Sequence, residues 1–226
     1  AVSTVYAVGM RVGGGAGGER LHQALRALRA AGYAQRIYAS SSATDEFQSA
    51  MRTMGVFGRG LRWLIARPQS VPIPGAAAIG GRANALHDAL FDRWVTAQLP
   101  ECALFHGHSL YAWASMQRAQ RMGAVVLLDR AMAHPDAYAE AMDAEYARRG
   151  VGRRVDRGRI QREMREIERC DMLLVGSERA RESYLARGFP AERLALVPYG
   201  VDATRFAPVE EDAPHPFRVL FVGQVL

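Results

Sequence analysis

Short apolar runs recur along this chain with helix-like stretches between them: Ser3 to Val8, Gln35 to Ala39, Ala103 to His106, Ala124 to Asp129, Met172 to Val175 and Leu194 to Val197. This alternation constrains the fold more than any other feature. Strands joined by tight turns run antiparallel. A helix between successive strands instead carries the chain back to the same edge of the sheet, so the strands run parallel. The expected class is therefore α/β, a doubly wound parallel sheet with helices on both faces.

Local punctuation agrees with that pattern. Leu21, Leu25 and Leu28 recur at helical spacing between Glu19 and Ala31, and Gly32 then stops the helix. Ser177 stands where a strand ends and Glu178 opens a helix, so its hydroxyl is placed to cap; Gly188 and Pro190 close the same helix. Arg153 to Arg169 carries Arg/Glu pairs three and four apart and reads as a solvated helix. Met51 to Pro74 breaks the rhythm and reads as an insertion between the second and third strands. Within it Phe57, Leu61, Trp63, Leu64 and Ile65 interleave with Arg59, Arg62 and Arg67. Such a segment suits a surface helix packed on its own domain, and equally an interfacial contact with an anionic membrane.

The C-terminal stretch reads as a boundary. Residues 1–206 form the expected domain, the Pro- and acid-rich residues 207–216 a linker, and residues 217–226 the first strand of a second domain. On that expectation the chain is part of a two-domain protein and is inactive alone. No run approaches the ~18 apolar residues of a membrane span, and no signal-peptide pattern opens the chain, so a cytoplasmic protein is expected, with peripheral contact at the inner membrane face as an option. Cys102 and Cys170 show neither disulfide nor zinc spacing. All 29 basic residues are Arg and the net charge is +6. Arg forks suit phosphate, but no nucleic-acid motif or aromatic platform accompanies them, so a nucleic-acid partner is not expected.

Candidate chemistry gathers at the expected strand ends. The run from Gly13 to Gly18 follows the first strand and opens the first helix, so N–H groups at Gly14, Gly15 and Gly17 suit a diphosphate. A dinucleotide fold wants an acid at the end of the second strand for the ribose, whereas Ala39, Ser40, Ser41 and Ser42 stand there; a P-loop lacks its Gly-Lys-Ser/Thr. The third strand ends in His106, Gly107, His108 and Ser109, and the fourth in Asp129 and Arg130, with His134 just beyond. Carboxyl ends of parallel strands line a ligand crevice, so these groups are expected to face the glycine run. His106 and His108 also fit a metal pair or two core histidines, although no further ligand cluster has metal spacing. Arg130 after a buried strand needs an anion or a carboxylate, and Asp129 and Glu145 are the candidate ion partners.

Together these segments resemble the N-terminal half of a GT-B glycosyltransferase of family 4. Ala16-Gly17-Gly18-Glu19-Arg20 is similar to that family's Gly-Gly-x-Glu-Arg loop, Phe105-His106-Gly107-His108 to its Val-His-x-His strand end, and Val175-Gly176-Ser177-Glu178 to its strand-Ser-Glu turn. Val197-Pro198-Tyr199-Gly200-Val201-Asp202 resembles its exit from the N-terminal domain, with Tyr199 where Asn is usual. The resemblance implies a Rossmann-like domain that holds the acceptor. It also implies retaining transfer from a nucleotide-diphosphate sugar to a sugar or lipid-linked acceptor, in bacterial glycan or glycolipid synthesis, with no required cofactor. His108, Arg130 and His134 are the candidate catalytic residues; Gly14, Gly15 and Gly17 the diphosphate contacts; and His106, Ser109, Asp129 and Tyr199 the acceptor contacts. A non-catalytic carbohydrate or polyanion module, and a nucleotide-dependent epimerase or dehydrogenase, are the alternatives.

Overall fold

A computed structural model describes residues 3–12, 15–33, 36–42, 45–47, 49–55, 76–152, 155–198, 200 and 219. Gly14, Tyr199, the 57–67 segment and the proposed linker lie outside the described residues, as does the last strand apart from position 219. Seven strands form one sheet: β1 (Thr4–Val12), β2 (Arg36–Ser42), β3 (Met51–Thr53), β4 (Leu104–His108), β5 (Val125–Arg130), β6 (Met172–Val175) and β7 (Leu194–Leu196). Every described pairing is parallel and the order is β3-β2-β1-β4-β5-β6-β7. The order reverses between β1 and β4, and a parallel sheet opens a crevice at the carboxyl edge of such a reversal.

Six helices are described: α1 (Gly15–Ala30), α2 (Ala76–Gln98), α3 (Trp113–Arg121), α4 (Pro135–Arg148), α5 (Arg157–Arg169) and α6 (Glu178–Leu185). Side chains alternate between the faces of each strand. One face sends Val5, Ala7, Tyr38, Phe105, Val126, Leu128, Leu173 and Val175 into the larger core, against Phe91 and Val95 of α2, Met116 of α3, Ile167 of α5 and Tyr184 of α6. Burying each such large side chain contributes roughly 1.5–3 kcal/mol. The other face sends Tyr6, Val8, Ile37 and Ala39 against Leu25 of α1 and Phe47. On β4 and β5 that second face carries His106, His108 and Asp129 instead of a full apolar layer, and all three remain partly exposed.

Three expectations are corrected. The first strand and the first helix both extend further than their apolar patterns: β1 continues past Val8 to Val12 through a register shift between Val8 and Arg11, and α1 begins at Gly15 instead of Glu19, with Gly15, Gly17 and Gly18 in its opening turns. Glycine weakens a helix interior, but tertiary context overrides propensity here. Met51–Thr53 is no insertion but an edge strand, with Ile37 opposite Met51. Within the charged segment, α5 is solvated on one side only, since it buries Ile160, Glu163, Glu166 and Ile167. The caps match expectation. Ala180 N donates to Ser177 Oγ at 3.2 Å, and Gly32 and Gly188 take φ of 80° and 78°. Cys102 and Cys170 are buried and unpaired.

Candidate functional site

The crevice at the strand reversal is lined by side chains from β1, β4 and β5. His106 and His108 sit two residues apart on β4, so they share a face; their rings lie parallel, within 6°, with centroids 6.4 Å apart. Tyr6, opposite His106 in the β1–β4 ladder, sets its ring edge against His106 at 4.5 Å. Its hydroxyl is hydrogen-bonded to His108 Nε2 at 2.9 Å. Asp129 is opposite His108 on β5, and its Oδ2 stands 3.8 Å from His108 Nε2 and 4.0 Å from His106 Nε2. Those separations exceed a direct hydrogen bond.

Burial decides the charge of the inner histidine. His106 Nε2 is buried and finds no hydrogen-bond partner among the described residues. Desolvation, helped by His108 nearby, pushes its pKa down to about 3, so the ring is neutral across the physiological range. A neutral imidazole keeps one ring nitrogen able to accept or donate a hydrogen bond, and here that nitrogen is closed off from solvent. Ser109 follows directly: its N–H donates to the Asp129 carbonyl at 3.1 Å, and its buried Oγ also lacks a described partner.

Other candidate residues lie elsewhere. Arg130 alternates with Asp129 and so points to the opposite face, where it is 6% exposed and pairs with Glu163 Oε2 at 2.8 Å. Its partner is thus neither Asp129 nor Glu145; Glu145 is taken by Arg148 and Arg149 on the surface. His134 caps α4, accepting from Asp136 N at 3.2 Å, while its own N–H donates to Ser183 Oγ at 2.9 Å. Its ring packs on Tyr184 at 5.2 Å, and burial above all lowers its pKa. The structure therefore gathers His106, His108 and Asp129 beside Tyr6, ties Ser109 to them through the Asp129 carbonyl, and sets Arg130 and His134 in a second group with Glu163 and Tyr184. Gly15 and Gly17 lie in the first turn of α1, which contains no acid. No group of three metal-type ligands occurs among the described residues.

The sequence reading missed Tyr6, Asp92 and Glu166. Asp92 of α2 accepts from Ala114 N, Ser115 N and Ser115 Oγ at 2.6, 2.9 and 2.7 Å, capping α3. Glu166 of α5 accepts from Leu110 N and Ala112 N. For the glutamates a signal existed: Glu163 falls in the stripe Ile160, Glu163, Ile167, with Glu166 beside it, and an acid within a helix's apolar stripe has a buried partner.

Among known families, the sequence model described as Glycosyltransferase Family 4 matches residues 14–205. No curated protein matches the chain.

Proposed function

The chain belongs to glycosyltransferase family 4, and from that premise we propose that it holds the acceptor for a retaining transfer from a nucleotide-diphosphate sugar. The acceptor hydroxyl gives up its proton, its oxygen bonds the anomeric carbon, and the nucleoside diphosphate leaves with the electrons of the broken bond. The observation that carries this reading is the set His106, His108 and Asp129 around Tyr6 at the strand reversal, where a carboxylate stands beside one neutral and one hydrogen-bonded imidazole. His108 and Asp129 orient the acceptor hydroxyl and share its proton. The first turn of α1, with Gly15 and Gly17 and no acid, offers free N–H groups and a positive helix end to the leaving diphosphate. Arg130 and His134 are assigned to holding α4, α5 and α6 on the sheet.

The test is release of nucleoside diphosphate by the full-length protein from a panel of nucleotide sugars. Soluble sugars and lipid-linked sugars in neutral or anionic vesicles serve as acceptors. Transfer is expected, and His108→Ala and Asp129→Asn should each lower it by about 10²-fold or more. Wild-type turnover in both variants would remove the site assignment. Tight NAD binding without transfer would favour the dehydrogenase or epimerase alternative. A preference for anionic vesicles that persists when Arg59, Arg62 and Arg67 become Gln would remove the membrane role of the 57–67 segment.

A further inference from the structure

Between β4 and α3 the chain makes a turn that its own backbone bond holds only in part. Leu110 takes φ of 81°, the left-handed region that residues with a Cβ avoid. Glu166, 2% exposed and 56 positions further along the sequence, reaches this turn from α5. Leu110 N donates to its Oε2 at 2.5 Å and Ala112 N to its Oε1 at 3.2 Å. The residue between them, Tyr111, donates its N–H to the His108 carbonyl at 3.1 Å, and the residue before, Ser109, is tied to Asp129. The turn is thus continuous with the site on one side and clamped by a buried carboxylate on the other.

We propose that Glu166 is a positioning residue for transfer: its two carboxylate oxygens hold the β4–α3 turn in the shape that keeps the Ser109 N–H on the Asp129 carbonyl at the end of the site, and neutralising the carboxylate releases half of that hold. The effect on turnover rests on the transfer reading above; the hold on the turn does not. An ionised carboxylate accepts well at both oxygens, whereas a protonated one keeps a single good acceptor. The charged and titratable groups around Glu166 favour the neutral form. Asp92 of α2 and Glu163 of its own helix are both acids, and the Arg130 guanidinium of β5 is paired with Glu163. The turn itself contributes only N–H groups, and among the described residues no ion pair reaches Glu166. Burial accordingly pushes Glu166 up to about 8 against the pull of its two N–H donors. Above that pH both N–H groups are held; below it, one.

The experiment follows amide hydrogen exchange at Leu110 and Ala112 in the full-length protein from about pH 6.5 to 9, corrected for intrinsic exchange. Parallel assays measure kcat and donor KM with the nucleotide-sugar panel. Wild-type protection of the turn should rise several-fold through pH 8, and kcat should rise with it at unchanged donor KM. Glu166→Gln should hold both at their low-pH level with no step near 8. Glu166→Asp, which keeps the charge, should restore the step. Asp92→Asn should loosen the first turn of α3 and keep the step, moved to lower pH because one of the charges opposing Glu166 ionisation is gone. Protection and kcat in Glu166→Gln equal to wild type at pH 9 would overturn the proposal. So would the absence of any wild-type step in protection, a result readable even if the Gln variant fails to fold. If no donor is turned over, the transfer reading fails while the exchange profile still decides the role of Glu166 in the turn.

Discussion

His106 and Glu166 are displaced from their ordinary pKa values in opposite directions, and the two displacements give the stability of the fold a shape against pH. Between about 3 and 6.5 the folded protein leaves His106 neutral where the unfolded chain protonates it. The unfolded state then binds more protons, so stability is lost as pH falls through this window, by up to about 1.4 kcal/mol per pH unit. Between 4.5 and about 8 Glu166 stays protonated in the folded state while the unfolded chain ionises it, so stability is lost as pH rises. From 4.5 to 6.5 the two slopes oppose each other. Urea unfolding from pH 3 to 9 should show a plateau between about 4.5 and 6.5 with a fall on each side. His106→Leu should remove the acid fall and Glu166→Gln the alkaline one. A single-sided profile in the wild type would contradict both assignments. Glu145, drawn down to about 2 by the forks of Arg148 and Arg149, lies at the surface where solvent screens the pairs, and its replacement by Ala should leave the profile unchanged.

Elements meet most tightly where Tyr111 crosses β1. A Cβ built on Gly9 would stand 2.0 Å from the Tyr111 ring, so β1 passes under that ring only with glycine there. Gly9→Ala should destabilise the protein by about 1–3 kcal/mol, and adding Tyr111→Ala should recover part of the loss. Additive losses in thermal unfolding would place the cause elsewhere. These contacts also mark how far sequence reasoning extends. Strands such as Met172–Val175 and the Ser177 cap were legible because their signals are local in sequence. The three-residue strand β3 was not, because it is too short to show a period and takes its register from β2. His106, His108 and Asp129 were legible as polar residues at strand ends. Tyr6, Asp92 and Glu166 escaped because their partners lie 102, 22 and 56 positions away, and folding alone brings such pairs together.

Across the whole molecule, the strand reversal places the polar site on one face of β5 and the Arg130–Glu163 pair on the other. Arg130→Ala would leave Glu163, 2% exposed, without its closest cation, and should cost about 3–5 kcal/mol. An Arg130 standing open in the crevice would instead be nearly neutral for stability. The two kinds of ion pair in this fold also differ in their response to electrolyte. At 1 M salt the screening length falls to about 3 Å, which weakens exposed pairs such as Arg181–Glu178. The same counter-ions relieve the mutual repulsion behind the net charge of +6, so added salt should alter the overall melting temperature only modestly. Beneath the sheet those ions do not follow. The stability gap between wild type and Arg130→Ala should therefore be the same in dilute buffer and in molar salt, and a gap that closes with salt would mean that water reaches the pair.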